Sequence, residues 1–306
     1  MDRIAFLFSG QGAQYPGMGK DFYNKNRYIK EIFEMAEKYR TDTLFQCFES
    51  DSAVLKETEN TQPCLYLADL TAAIALERSA IRPDAVAGFS LGEIPALAFA
   101  GAFSYLDGFK IACKRGELMG EANKKAPANM VAVLKLENSQ IESICKIFKH
   151  VYPVNYNCTG QLVVAGLKEE LILFENLIKS AGGRTLKLNV SGGFHSPFMD
   201  SAASKFGKFL ENINISEPDL PVYSNFTTLT YSSNVKELMQ NQINNPLKWQ
   251  HLITNMIKDG INTFVEVGVG NTLQKLVTKI SPDAKCISVE NMDGVAYAIK
   301  ELRQIA

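Results

Sequence analysis

The sequence predicts an α/β fold, a central and mainly parallel sheet covered by helices, with a smaller βαββαβ unit inserted into it. Three observations carry this. Short apolar strands alternate with helical periodicity up to residue 126, the rhythm changes over 127–191, and the first rhythm returns over 192–306. Alternating strands and helices imply a parallel sheet with both faces covered, since each crossover brings the chain back to the same end of the sheet.

Ile4 to Phe8 is the first strand, stopped by the glycine-rich "SGQGAQYPGMG". Apolar residues at helical spacing follow in "YIKEIFEMAEKY" and "CLYLADLTAAIALERSAI". "DAVAGFS" is a second strand and "LGEIPALAFAGAF" a helix. "SYLDGFKIACKRGELMGEANK" opens with a serine three residues before Asp107, a helix-start pattern. The inserted unit then reads as strand "NMVAVLKL", helix "NSQIESICKIFKH", strand "VYPVNYN", strand "QLVVAG", helix "KEELILFENLIKSAGG" and strand "RTLKLNV". That order is the ferredoxin-like, split-βαβ arrangement. Beyond it come helix "SPFMDSAASKFGKFLENI", strand "PVYSN", helix "HLITNMIKDG", strand "TFVEVGV", helix "NTLQKLVTKI" and a final strand "AKCISV".

The chain's 306 residues suffice for one large domain and a subdomain, and its net charge of −1 gives no general affinity for nucleic acid or anionic membrane. No segment is apolar for long enough to span a bilayer, and the N-terminus lacks a signal-peptide cleavage region. The six cysteines (47, 64, 113, 145, 158 and 286) show no C-x-x-C or metal-ligand spacing. A cytoplasmic protein without metal or cofactor is expected.

Ser90 lies in "GFSLG", a G-x-S-x-G between a strand and a helix. Such a nucleophile elbow needs glycines for its sharp turn and lifts the serine Oγ clear of its neighbours. It suggests an α/β-hydrolase-like catalytic domain, with the Leu91 amide pointing where an oxyanion would form. The bland alternative is a tight turn holding a satisfied serine. A serine nucleophile needs a base, and the chain has three histidines. His150 ends a lysine-rich helical segment and His251 sits on an amphipathic helix, both ordinary settings. His195, in "SGGFHSPFM" at the domain junction, is the candidate base. A third member is open at this point: Asp200, Glu266 or a backbone carbonyl could orient the imidazole.

The ordered set "FSGQGAQYPGMG", "TQPCLYLAD", "GFSLGE", "KRGELMGEA", "NYNCTGQLVVAG", "GGFHSPFM", "NNPLKW" and "FVEVGVGNTL" resembles the malonyl-CoA:acyl carrier protein transacylases, across nearly the whole chain. The acyltransferase domains of polyketide synthases share the pattern. The resemblance implies that Ser90 accepts malonyl from coenzyme A as an ester and passes it to the phosphopantetheine thiol of acyl carrier protein, supplying fatty acid synthesis. It assigns His195 as base and then acid, Gln11 and Leu91 as oxyanion amides, and the Gln242 backbone carbonyl as orienter of His195. Arg115 matches the arginine that grips the free malonyl carboxylate, a task suited to a two-pronged guanidinium. Gln62, Asn157 and Gln161 match cleft-lining positions.

There are departures. The family usually has histidine before the nucleophile, where this chain has Phe89, and a proline where it has Val269. Phe194, before His195, resembles the malonyl-type enzymes, and its ring would crowd an α-methyl substituent. The alternatives are a freestanding acyltransferase serving a polyketide synthase and a thioester hydrolase; Arg115 argues against the second.

Overall fold

In the computed structural model, which describes residues 3–188 and 192–303, two sheets form. The larger contains β1 (Ile4–Phe8), β2 (Ala85–Gly88), β7 (Val222–Tyr223), β8 (Thr263–Val267) and β9 (Lys285–Val289), in the order β7-β2-β1-β8-β9. All its pairings are parallel. Its strands are short and apolar because both faces are covered: Ala5 to Phe8 and Ala85 to Gly88 are buried throughout. The helix Thr58–Arg78 runs through the core, and residues 61–76 are all buried. It has no single apolar face, as befits a helix enclosed on every side, and its buried polar residues include Gln62 and Asp69.

The smaller sheet is antiparallel and contains β3 (Asn129–Leu134), β4 (Val151–Cys158), β5 (Gln161–Gly166) and β6 (Arg184–Lys187), in the order β4-β5-β3-β6. With helices Asn138–Cys145 and Lys168–Ser180 it follows the ferredoxin-like order. Its separate core centres on Val133, Ile141, Leu162, Val164, Phe174 and Ile178. A short backbone bridge joins the two units. The Tyr156 N–H donates to the Leu247 carbonyl (2.9 Å), and the Leu247 N–H to the Val154 carbonyl (2.8 Å).

Several expected elements are shorter than their sequence signal. The elbow helix is a 3-10 turn, Ser90–Gly92, followed by Glu93–Phe99, and "PVYSN" is strand only at Val222–Tyr223. The helix expected to reach His150 stops at Cys145, so His150 instead precedes β4, where its Nδ1 and backbone N–H contact the Glu170 carboxylate at 2.8 and 2.9 Å. The strand "RTLKLNV" ends at Lys187; its last residues, Asn189 and Val190, and the boundary at residue 191 lie outside the described residues. Helices not anticipated are Lys20–Lys25, Thr43–Phe48, Ser52–Lys56, Val235–Asn244 and Met292–Arg303. Among the described residues no helix is long and apolar enough to cross a membrane.

Candidate active site

The elbow forms where β2 ends against β1. A Cβ on Gly88 would lie 1.9 Å from the Gly92 carbonyl carbon, and one on Gly92 would lie 2.3 Å from the Phe8 carbonyl oxygen. The chain crosses itself there, and only glycine fits at both positions. Ser90 between them has φ +55, in the left-handed region. His195 has φ +60. Both are non-glycine residues in a sparsely populated conformation, which persists only where the surrounding structure enforces it.

The two side chains meet. Ser90 Oγ lies 2.8 Å from His195 Nε2, and His195 Nδ1 lies 2.8 Å from the backbone carbonyl oxygen of Gln242. A carbonyl can only accept, so Nδ1 carries the proton and Nε2 presents its lone pair to the serine hydroxyl. Burial, reinforced by the nearby Arg115 cation, pulls the His195 pKa down from 6.5 to about 4. The imidazole is therefore neutral at physiological pH and ready to take a proton. Neither Asp200 nor Glu266 reaches it. Asp200 accepts from Asn244 Nδ2 at 2.8 Å, and Glu266 accepts the N–H groups of Leu273 and Gln274 at the start of helix Thr272–Ile280.

Arg115 projects from helix Tyr105–Lys125 and is buried. Nη1 donates to Gln62 Oε1 (2.9 Å), while Nη2 donates to Gln242 Oε1 (2.8 Å) and to Ser90 Oγ (3.3 Å). Its Nε is buried without a partner. Desolvation lowers its pKa from 12.5 to about 10, opposed by the field of Glu93, so the guanidinium remains charged at neutral pH. Gln62 is thus a support for Arg115 from helix Thr58–Arg78, and its amide also contacts Met119 Sδ at 3.5 Å.

Gln11 lies in the loop after β1 and its side chain donates to Thr58 Oγ1 (3.2 Å). This loop is anchored one residue beyond the strand, where Ser9 Oγ donates to the buried Asp69 carboxylate (2.8 Å). Leu91 follows the serine and is buried. A cavity of about 230 Å³ opens between the two sheets. Gln11, Phe89, Asn155, Asn157 and Gln161 are among its lining residues. Asn155 and Asn157 are less than a tenth exposed, and the Oδ1 of each is buried without a hydrogen-bond partner among the described residues.

Phe89 stacks edge-on against Trp249 with ring centroids 5.3 Å apart. Gln62, Ser90, Arg115, Phe194 and His195 are not among the residues that line this cavity, and Phe194 packs in the main core. Sequence reasoning also missed the Gln242 side chain, whose Nε2 donates to the Ser90 carbonyl at 2.6 Å, and it missed Asp69 and Asn225. Asp69 had left a signal, a lone carboxylate in the apolar run "CLYLADL".

An elbow serine bonded to histidine at the end of a parallel sheet is the arrangement of α/β enzymes that carry acyl groups on a serine. Comparison with known proteins narrows the class. The acyl transferase domain family matches residues 5–296. A "Malonyl CoA-acyl carrier protein transacylase" of Bacillus subtilis is 36% identical over 99% of this chain and 98% of that protein. The solved malonyl CoA-acyl carrier protein transacylase of Clostridium perfringens superimposes with a TM-score of 0.95 at 34% identity, covering 99% of this chain and 98% of the other. A malonyl-transacylase solved in complex with a type II polyketide synthase acyl-carrier protein superimposes at 0.94 with 28% identity, covering 98% and 100%. The chain belongs to the acyl transferase domain family, and it is an acyltransferase.

Proposed function

We propose that this chain transfers malonyl from coenzyme A to the phosphopantetheine thiol of acyl carrier protein, through a malonyl ester on Ser90. His195 Nε2 takes the Ser90 proton as Oγ attacks the thioester carbonyl. The oxyanion is held by the backbone N–H groups of Gln11 and Leu91. Collapse breaks the C–S bond, and the departing coenzyme A thiolate takes the proton from His195. The carrier thiol then gives its proton to His195 and attacks the ester, and collapse returns that proton to Ser90. The Gln242 carbonyl stabilises the imidazolium formed in each half-reaction.

The observation that carries the reading is Arg115. A buried guanidinium within 3.3 Å of the nucleophile faces amide oxygens and a hydroxyl, with Nε unpartnered. Its hydrogen-bond partners are neutral, and Glu93 acts on it only through its field. An anionic group bound beside it would offset the cost of burying the cation, and the free carboxylate of malonyl is such a group. The cavity suits the arm common to both thioesters: the unpaired carbonyls of Asn155 and Asn157 can accept from its amide N–H groups, and Gln161 lines the same wall.

Residues 127–191 form the subdomain that contributes this second wall, and 1–126 with 192–306 the catalytic domain. A reducing, cytoplasmic setting belongs to the same reading, supported by six free thiols.

Intact-protein mass spectrometry with a mixture of acyl-CoA thioesters tests it. A malonyl adduct on Ser90 that discharges onto holo carrier protein is expected; no adduct, or discharge to water alone, overturns it. A polyketide carrier would use the same steps, and the likeness to the carrier-bound polyketide enzyme keeps it as a second reading. A panel of fatty acid and polyketide carriers separates the two.

A further inference from the structure

Beside the nucleophile lies a hydrogen-bond network that acyl transfer itself does not use. β2 and β7 run in register, with Val86 opposite Val222 and Ala87 opposite Tyr223, and then part. β2 enters the elbow, while the chain after β7 turns through Ser224 and Asn225. At this fork the Asn225 side chain takes the place of a backbone. Its Oδ1 accepts the Ser90 N–H at 2.8 Å and its Nδ2 donates to the Gly88 carbonyl at 2.6 Å. A carboxamide offers the same acceptor and donor as a peptide group, so one side chain carries the ladder across the turn.

Asn225 is itself held. It is wholly buried, and its backbone N–H donates to Glu93 Oε2 at 2.6 Å. The other carboxylate oxygen accepts the Tyr231 hydroxyl. Glu93 begins the helix that follows the elbow, so Asn225 is gripped from both sides of Ser90. The left-handed backbone of Ser90 needs such a restraint, because an L-residue leaves that region when free to do so.

We propose that Asn225 is the positioning residue of the nucleophile, with Glu93 and Tyr231 fixing it in turn. It acts by holding the peptide groups on either side of Phe89, which aim Ser90 Oγ at His195. The inference rests on Ser90 being the nucleophile. Aspartate at 225 could not donate to the Gly88 carbonyl and would set two acceptors face to face.

The test is the rate at which phenylmethanesulfonyl fluoride labels Ser90, followed by intact mass and peptide mapping. The unaltered chain is compared with Asn225→Ala, Asn225→Asp and Tyr231→Phe, alongside kcat and KM for malonyl-CoA. The probe carries neither malonyl nor coenzyme A, so its result is independent of the substrate assignment. Labelling and kcat are expected to fall roughly tenfold to a hundredfold in both Asn225 variants, as loss of one or two hydrogen bonds implies. KM should stay within about twofold, and Tyr231→Phe should show the same signature at roughly two- to fivefold. Unchanged labelling in folded Asn225 variants overturns the proposal, as does a loss confined to KM. If those variants do not fold, unchanged labelling in Tyr231→Phe overturns it. No labelling at Ser90 in the unaltered chain removes the nucleophile reading and this inference together.

Discussion

In the large-sheet unit, Ser90, His195, Gln242 and Arg115 direct most of their polar atoms at one another. In the small-sheet unit, Asn155 and Asn157 keep buried carbonyl oxygens without a hydrogen-bond partner among the described residues. The contrast separates two tasks. Groups that exchange protons are fixed beforehand, because reorganising them during the reaction would raise its barrier. Groups left unpaired can be satisfied by a ligand that brings the missing donors, the task the proposed reading gives to Asn155 and Asn157. Among these four residues the Arg115 Nε is an exception, buried without a partner among the described residues.

The comparison breaks most visibly at the serine. Ser90→Ala should remove the malonyl adduct and reduce transfer by about 10⁴-fold or more, the scale seen when a nucleophile is deleted from a preorganised site. Persistent labelling would place the chemistry elsewhere. Arg115→Ala should lower malonyl transfer roughly a hundredfold while sparing or improving acetyl transfer. Parallel steady-state assays with the two thioesters decide this, and equal losses would make Arg115 a structural cation.

A pH series sharpens the picture of the prearranged wall. His195 acts as a base only when neutral, and its pKa is depressed to about 4. Single-turnover acylation should therefore stay level as pH falls from neutrality and drop to half only near pH 4. In Arg115→Ala the cation that disfavours imidazolium is gone while burial, the larger cause, remains, so the half-point should move up but stay below 6.5. A half-point already near 6.5 in the unaltered chain would mean that the imidazole is not shielded.

The open wall predicts a smaller effect. Asn157→Ala removes one acceptor and should raise KM for both thioesters by roughly three- to tenfold with little change in kcat. A matching loss of kcat would mean that Asn157 helps to place the reacting carbonyl. Smallest of all, Phe89→Leu should lower stability by about 1 kcal/mol through loss of the ring contact with Trp249, read from the denaturant midpoint.

Much of this organisation is legible in the residues. The strand–turn–helix setting of "GFSLG" points to an elbow, and the clash distances at Gly88 and Gly92 give the spacing its physical reason. The change of rhythm after residue 126 marks the antiparallel unit. Less legible are contacts that depend on non-local approach. Helix Val235–Asn244 carries apolar residues at 235, 238, 239 and 243, a helical pattern, but the asparagines and glutamines around it mask the signal. Gln242 was reached through resemblance alone, and its side chain's role as a link between Arg115 and Ser90 had no local sign. Asn225 reads as the last residue of the strand "PVYSN", but the strand stops at Tyr223, and only the fold turns the Asn225 side chain to residue 90. Elements shorten at their ends for a related reason: local periodicity persists where tertiary hydrogen bonds have already redirected the chain.

The backbone bridge at Leu247 has a mechanical consequence. It ties the antiparallel unit to a segment five residues beyond Gln242, and the intervening Ile243 carbonyl accepts the His195 N–H at 3.1 Å. Any outward swing of that unit would tug on the peptide that steers the imidazole. The bridge thus couples the position of the antiparallel unit to the aim of the imidazole, and it opposes any hinge motion that would part the two.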